Sequence, residues 1–292
     1  MGEKTAMILV FGAGGTVGSA VLGELNARGR PARAACHRPE RTSQALARGQ
    51  DAVTVDLDRP ETIRPALDGV DTVFLLGAMG PHQSAQETAA VTAAIGAGVR
   101  RIVKLSVWRA DEGLTPIARL HRPVEELLES AGVAWTFLRP NFFMQNFSRQ
   151  LAPAIRSGGA FGQPVARAPI SFVDARDVAR AAARTLVEEG HEARTYRLTG
   201  PAALTYEDAA EVLSRVLRRP VRYLSLSDVE ARAAMTGAGM SDFHADALIE
   251  VSQAYRDGGA DAVTTDVEVL TGSPPTAFDR FVAEHREVFA PV

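Results

Sequence analysis

The segment MILVFGAGGTVG, residues 7–18, is an apolar run that ends in a glycine-rich turn. Gly12, Gly15 and Gly18 recur at intervals of three, and residues 19–27 have the pattern of a helix. Such a turn leaves backbone N–H groups free at a helix N-terminus, where they bind a pyrophosphate, and side chains larger than glycine would hold the phosphates away. The strand–turn–helix context disfavours a turn without a ligand. The predicted dinucleotide contacts are Gly12, Gly14, Gly15, Thr16, Val17 and Gly18.

Length and composition limit the classes of function. The 292 residues suffice for one large domain with a smaller lobe. A formal net charge of -3 gives no electrostatic support for a nucleic-acid partner, and no apolar stretch approaches the ~20 residues of a membrane span. The single cysteine, Cys36, excludes an internal disulfide and a cysteine-rich metal site. Glu3 and Lys4 do not fit a signal peptide, so we expect a cytoplasmic protein; the scarcity of lysine beside arginine suggests a bacterial source.

Short apolar runs alternate with helical patterns in the first half of the chain, an order typical of βαβ units. Strands are predicted at 7–11, 32–36, 52–55, 72–76, 102–107 and 135–138, and helices near 16–28, 60–67, 84–97 and 122–131. We predict an α/β fold: a Rossmann doubly wound parallel sheet with a smaller C-terminal α/β substrate lobe.

The rhythm changes after Arg139-Pro140. Strand-like runs follow at 170–173, 195–198 and 221–224, and helical patterns at 176–188, 206–217, 227–236, 242–256 and 276–288. We assign residues 1–150 to the dinucleotide-binding domain and residues 151–292 to the substrate lobe. Segments within 170–200 are expected to complete the edge of the sheet.

The end of the second predicted strand indicates which dinucleotide binds. An acidic residue there would bind the 2′-hydroxyl of the adenosine ribose. This chain has Arg38 instead, and a guanidinium suits a 2′-phosphate through charge-assisted hydrogen bonds. The predicted cofactor is therefore NADP (NADPH), with Arg33, His37 and Arg41 as candidate helpers.

The ends of the next two predicted strands supply further cofactor candidates. Asp56 and Leu57 follow the third strand and are expected to flank the adenine. Gly77, Ala78 and Met79 follow the fourth, where small residues let the backbone approach the nicotinamide ribose. For Met79, substrate contact and local packing are equally good interpretations.

The usual catalytic pair of the short-chain dehydrogenase/reductase superfamily is missing. That pair is a tyrosine with a lysine four residues later, and the only lysines here are Lys4 and Lys104. The tyrosines are Tyr196, Tyr206, Tyr223 and Tyr255. Ser106, two residues after Lys104, stands where the superfamily keeps a catalytic serine.

Motifs along nearly the whole chain instead resemble the atypical, NmrA-like branch of the superfamily, and within it the type-two NAD(P)H:quinone oxidoreductases. They comprise the glycine turn, GVDTVF (69–74), His121 with Glu125, WTFLRPNFF (135–143), Asn146, FVDARDVA (172–179), YRLTGP (196–201) and LTGSPP (270–275). This resemblance implies an NADP-binding Rossmann protein. The branch contains quinone reductases, reductases of biosynthetic pathways and non-catalytic redox sensors.

The resemblance also suggests site residues. His121 occupies a position where many members have lysine. We predict His121 and Ser106 as catalytic residues. The alternative for His121 is a structural role, in which its polar atoms are hydrogen-bonded at the start of a helix. Pro123 predicts that the helix either kinks or begins there. Near the end of the sixth strand, Pro140 and Asn141 are assigned to cofactor contact. The expected acceptor pocket consists of Phe142, Phe143 and Asn146, with the Asn141 amide as a further donor.

Reduction of a quinone requires little assistance from an acidic residue, because the product carries a phenolate-like oxygen, and a phenol has a pKa of ~10. Reduction of a ketone gives a far more basic alkoxide. The sequence therefore favours an NADPH-dependent reductase of a quinone-like or conjugated carbonyl acceptor. The alternatives are a non-catalytic NADP(H)-binding sensor and a specialised biosynthetic reductase. Oligomeric state stays open between monomer and homodimer.

Overall fold

The computed structural model describes residues 6–291, so Glu3 and Lys4 lie outside the described part of the chain. Nine strands are described. They are β1 (Met7–Val10), β2 (Ala32–Cys36), β3 (Ala52–Thr54), β4 (Val70–Leu75), β5 (Arg101–Leu105), β6 (Ala134–Pro140), β7 (Ala160–Gln163), β8 (Arg194–Leu198) and β9 (Arg222–Ser225).

Twelve α-helices are described between and after these strands. They are α1 (Thr16–Ala27), α2 (Pro39–Ala47), α3 (Ile63–Ala66), α4 (Gln83–Gly96), α5 (Pro116–Ser130), α6 (Ala152–Gly158), α7 (Ala175–Val187), α8 (Tyr206–Leu217), α9 (Asp228–Gly237), α10 (Asp242–Arg256), α11 (Asp266–Thr271) and α12 (Phe278–Glu284). None of the helices within residues 6–291 has both the length and the apolar character needed to cross a bilayer.

The main sheet has seven strands in the order β3-β2-β1-β4-β5-β6-β8. The β1–β2, β1–β4, β2–β3, β4–β5 and β5–β6 pairs are parallel. The strand order reverses between β1 and β4, and in open α/β sheets ligands bind at the carboxyl ends of the strands at such a point. The predicted doubly wound Rossmann sheet is confirmed.

The chain divides into two compact units. Unit 1 contains the described residues 6–111, 118–139 and 178–196, and unit 2 contains 112–117, 140–177 and 197–291. The main division follows Arg139, where the sequence changes its rhythm, rather than residue 150. Strand β8 pairs at the edge of the main sheet, as expected for a segment within 170–200.

Local differences from the predicted elements have simple causes. The helix expected at 122–131 begins six residues earlier, at Pro116, so Pro123 lies inside α5 and does not start it. The run 170–173 makes only isolated bridges, Ile170 with Leu204 and Val173 with Phe143, because no neighbouring strand continues the ladder. Helices α2, α6 and α11 were not predicted, since short helices have weak periodicity.

Buried apolar side chains hold each unit together. In unit 1, β1 contributes Leu9 and β5 contributes Ile102 to a core shared with Val91 of α4 and Leu128 of α5. Lys104 of β5 is completely buried, between the buried apolar residues Val103 and Leu105 of the same strand. Burial of an ammonium group requires polar partners, so the position of Lys104 points to a polar site.

Unit 2 has its own aromatic core and a two-stranded parallel sheet, β7 with β9. Phe147 lies at its centre, with ring centroids 5.2 Å from Phe172 and 4.7 Å from Phe278. Edge-on and tilted contacts of this kind add to the energy of apolar burial.

Candidate functional site

The glycine turn has the geometry of a phosphate cradle. Gly12 has a φ of +65°, and a Cβ atom on Gly18 would lie 2.2 Å from the Gly12 carbonyl oxygen, so both positions require glycine. A Cβ on Gly14 would meet nothing within 4 Å. Helix α1 begins at Thr16 without a side-chain cap. Its first N–H groups are therefore suited to an anion, and these residues fit the pyrophosphate of a dinucleotide.

The guanidinium of Arg38 follows the end of β2. Arg38 is the exposed N-cap residue of α2, and within residues 6–291 its side chain has no hydrogen-bond or ion-pair partner. Arg33, in contrast, binds Asp51 at 3.1 Å and the carbonyl oxygens of Ala66 and Asp68. The prediction that Arg33 helps to bind a 2′-phosphate is therefore wrong, because its donors are already used within β2 and its neighbours.

The residues that follow β3 and β4 lie at the same edge of the main sheet, because these strands run parallel. Asp56 faces His37, with 3.6 Å between the Asp56 Oδ1 and the His37 Nδ1, and Leu57 is partly buried beside it. The Gly77 N–H donates to Glu87 Oε1 at 3.0 Å, and a Cβ on Gly77 would lie 2.7 Å from that oxygen. Glu87 therefore fixes the backbone of the loop that contains Ala78 and Met79.

Glu87 belongs to a buried polar cluster that consists of Gln83, Glu87, Lys104 and His121. The Lys104 ammonium donates to the Glu87 carboxylate and lies 3.0 Å from His121 Nδ1. As placed, the Gln83 amide nitrogen Nε2 lies 3.0 Å from His121 Nε2 and donates to Glu87 Oε1 at 3.3 Å. All four side chains are more than nine-tenths buried. We call this set the buried cluster.

Burial controls the charges in the buried cluster. Loss of solvent, with the nearby Lys104 charge, lowers the pKa of His121 to about 3, although Glu87 opposes the shift. Burial alone would raise the pKa of Glu87, but Lys104 and the surrounding donors hold it below its usual value. The cluster thus contains an ion pair and a neutral imidazole at neutral pH.

The geometry corrects two expectations for His121. It lies inside α5 rather than at a helix start, and both ring nitrogens contact cluster side chains, so direct proton donation to an acceptor does not fit. Its implied partner Glu125 instead binds Arg139, through hydrogen bonds of 2.9 and 2.7 Å. Sequence reasoning missed Gln83 and Glu87; the charged Lys104 in an apolar strand was the available signal.

Ser106 follows β5 at its carboxyl end. Its backbone N–H donates to the Leu138 carbonyl at 2.7 Å, and the residue is only 4% exposed. In the described part of the chain, the Ser106 hydroxyl has no hydrogen-bond partner. Buried hydroxyl groups are almost always paired, so this one is suited to a bound ligand.

Unit 2 contains a cavity of about 600 Å³, which we call the unit 2 cavity. Phe142 and Asn146 line it, whereas Phe143 does not and bridges to Val173. Part of its wall comes from α9 and α10, which sequence reasoning had not connected with a pocket. These helices contribute Ala231, Ala234, Met235, Leu248, Val251, Ser252 and Tyr255.

Asn141 is a structural residue within unit 2. Its Nδ2 donates to Ser171 Oγ and to the Ala260 carbonyl at 2.9 and 2.8 Å. Its Oδ1 accepts from the Phe142 N–H and the Tyr255 hydroxyl at 2.9 and 3.0 Å. Because the amide has no capacity left, the prediction that the Asn141 amide is a donor in the acceptor pocket is wrong, whereas the assignment of Asn141 to cofactor contact stays a prediction. Pro140, at the end of β6, is buried.

Comparison with known proteins identifies a matching family and several similar proteins. The model of the NmrA-like family matches residues 4–274. An NAD(P)H azoreductase of Xenophilus azovorans is 36% identical over 284 residues, 97% of this chain and 99% of that protein. A (4-alkanoyl-5-oxo-2,5-dihydrofuran-3-yl)methyl phosphate reductase of Streptomyces griseus is 40% identical over 292 residues, 98% of this chain and 100% of the relative.

A solved structure is similar over the same length. The NADPH-dependent quinone oxidoreductase of Escherichia coli, crystallised with NADPH, superposes with a TM-score of 0.86 at 28% identity. The match covers 95% of this chain and 99% of the crystallised one.

Proposed function

The chain belongs to the NmrA-like family, and we propose that it is an NADPH-dependent reductase that transfers a hydride to an uncharged quinone-like or conjugated carbonyl acceptor. The observation that carries the proposal is the unit 2 cavity. Aromatic, aliphatic and neutral polar side chains line it, and none of its described lining residues is charged. Such walls suit a flat, uncharged, conjugated molecule.

The cofactor proposal depends on unit 1. Gly12, Gly14 and Gly18 would hold the pyrophosphate of NADPH and Arg38 its 2′-phosphate, while Ser106 offers an unpaired buried hydroxyl at the carboxyl end of β5. NADPH supplies the hydride when bound. The azoreductase and the quinone oxidoreductase among the similar proteins support this cofactor class.

We propose that no Tyr-Lys pair takes part. Burial raises the pKa values of Tyr206 and Tyr255, and the Tyr255 hydroxyl, although its residue lines the unit 2 cavity, donates to Asn141. A reduced quinone carries a phenolate-like oxygen that water can protonate, because a phenol titrates near ~10. An unactivated ketone would require a stronger acid than these residues provide.

The unit 2 cavity also distinguishes between kinds of acceptor. The Streptomyces griseus relative is named for a phosphorylated substrate. Recognition of a phosphate normally uses arginine, lysine or a helix N-terminus, and the described cavity lining contains neither basic residue. The lining includes Tyr206 at the start of α8, but that helix is already capped by the Thr205 side chain. We therefore favour an acceptor without a phosphate group for this chain.

A substrate panel tests the proposal. NADPH oxidation is followed with quinones, an azo dye, a simple ketone and a phosphorylated dihydrofuranone, and the quinones should give the highest kcat/KM. Ala234→Trp, which fills the unit 2 cavity, should raise the KM for quinone at least tenfold and leave NADPH affinity unchanged. Ala233→Trp is the matched control, because Ala233 is an equally exposed residue of α9 that does not line the unit 2 cavity. If no acceptor accelerates NADPH oxidation although NADPH binds, the chain is a sensor and not a reductase.

A further inference from the structure

We propose that Gln83 is a ligand-binding residue whose amide N–H donates to an uncharged oxygen of the bound cofactor or acceptor, and that Lys104 and His121 position this amide. The proposal rests on the proposed function in taking NADPH and a carbonyl acceptor as the ligands. It starts from a residue that is 1% exposed and whose amide oxygen Oε1, as placed, has no hydrogen-bond partner in the described part of the chain; turning the amide brings its NH₂ group to that position.

The ion pair determines which nitrogen of His121 carries the proton. Lys104 donates to the Glu87 carboxylate, and an ammonium group has no lone pair with which to accept a hydrogen bond. His121 Nδ1, 3.0 Å from the Lys104 Nζ, must therefore be the acceptor. A neutral imidazole has one N–H, so the proton is on His121 Nε2.

The His121 Nε2–H then determines the orientation of the Gln83 amide. That amide is 3.0 Å from His121 Nε2, and only its oxygen can accept the ring N–H. The opposite orientation would place two donors against each other. This orientation gives up the 3.3 Å hydrogen bond from Gln83 Nε2 to Glu87 Oε1 and places the amide oxygen near that carboxylate. The cost is reduced because Lys104 and the Gly77 N–H already compensate the charge of Glu87.

With its oxygen facing His121, Gln83 presents its NH₂ group at the position that has no partner within residues 6–291. A buried donor left without an acceptor costs about as much as a lost hydrogen bond, so a ligand oxygen would stabilise it. Ser106, after the strand that contains Lys104, supplies a second unpartnered buried group. Four described side chains of unit 1 have an unpartnered buried atom; two are the arginines Arg30 and Arg184, and Gln83 and Ser106 are the two uncharged ones, which we assign to a ligand.

The first experiment replaces Gln83 by Met, which keeps the length of the side chain and removes the donor. Gln86→Met is the matched control, because Gln86 lies on the same helix and binds Asp58 outside the buried cluster. NADPH affinity is measured by calorimetry, and steady-state kinetics are measured with a quinone. A tenfold or larger loss of NADPH affinity would identify a cofactor oxygen as the partner. An equal loss of kcat/KM for quinone at unchanged NADPH affinity would identify the acceptor oxygen.

Two variants of His121 test the positioning role. His121→Leu should reproduce the loss seen in Gln83→Met, whereas His121→Gln, which can accept from Lys104 and donate to Gln83, should restore at least half of it. If His121 were a proton donor, both variants would lose turnover alike.

The failures of the two proposals are distinguishable. A parent protein that binds NADPH but reduces no acceptor refutes the reductase function, and NADPH affinity then decides the role of Gln83. The proposed ligand contact of Gln83 is overturned if a folded Gln83→Met protein has the NADPH affinity of the parent and, where the parent is active, also its quinone kinetics.

Discussion

His121 should make the folded protein lose stability on mild acidification. Its pKa is about 3 in the folded protein, where it is buried and lies beside Lys104, and near 6.5 in the unfolded chain. Below pH 6.5 the unfolded chain therefore binds a proton that the folded protein does not bind, so the free energy of unfolding decreases as pH falls. Linkage gives a loss of about 2 kcal/mol between pH 7 and pH 5.

The assay is urea unfolding of the parent and of His121→Gln at pH 7 and pH 5, and the quantity compared is the change between the two pH values. The pKa of Glu87 is below its usual value, so the loss of its contribution begins at lower pH. His191 also has a lowered pKa, but it is present in both proteins and cancels. If the two proteins lose the same free energy between pH 7 and pH 5, the reasoning about His121 is wrong.

Three further changes test other parts of the molecule. Arg38→Asp should weaken NADPH binding by about 2 kcal/mol or more, because a charge-assisted contact is lost, and should leave NADH binding unchanged. Arg48→Asp, at the end of α2, is the control. Equal calorimetric affinities of the parent for NADH and NADPH would contradict this prediction. Gly18→Ala should lower the free energy of unfolding by roughly 1–3 kcal/mol, because its Cβ would overpack against Gly12. Gly14→Ala should keep the thermal midpoint and weaken NADPH binding at least tenfold. Unchanged NADPH binding would remove Gly14 from the site. Tyr255→Phe should leave kcat within a few-fold, and a hundredfold loss in a folded variant would make this tyrosine the acid.

Local sequence patterns were sufficient for the Rossmann sheet and its glycine turn. The run before Gly12 and the spacing of Gly12, Gly15 and Gly18 act through backbone conformation and close approach, which depend on neighbours a few residues away. The presence of Arg38 instead of an acidic residue after the second strand could also be recognised from the sequence, because only a short stretch of chain separates it from that strand. Of the two alternatives for Pro123, a helix start there is wrong, because α5 begins at Pro116, whereas a kink at Pro123 stays a prediction.

The sequence by itself determined the order of strands and helices in the main sheet, the glycine turn after β1 and the absence of a Tyr-x-x-x-Lys segment. Only the tertiary structure decided the partners of the buried polar groups. Lys104 meets Glu87 and His121 across 17 residues in each direction, and Asn141 is bound by Tyr255 from 114 residues away. The physical reason is that a buried donor or acceptor must be paired, but the pairing depends on which surfaces pack together, and residue spacing along the chain contains little information about that packing.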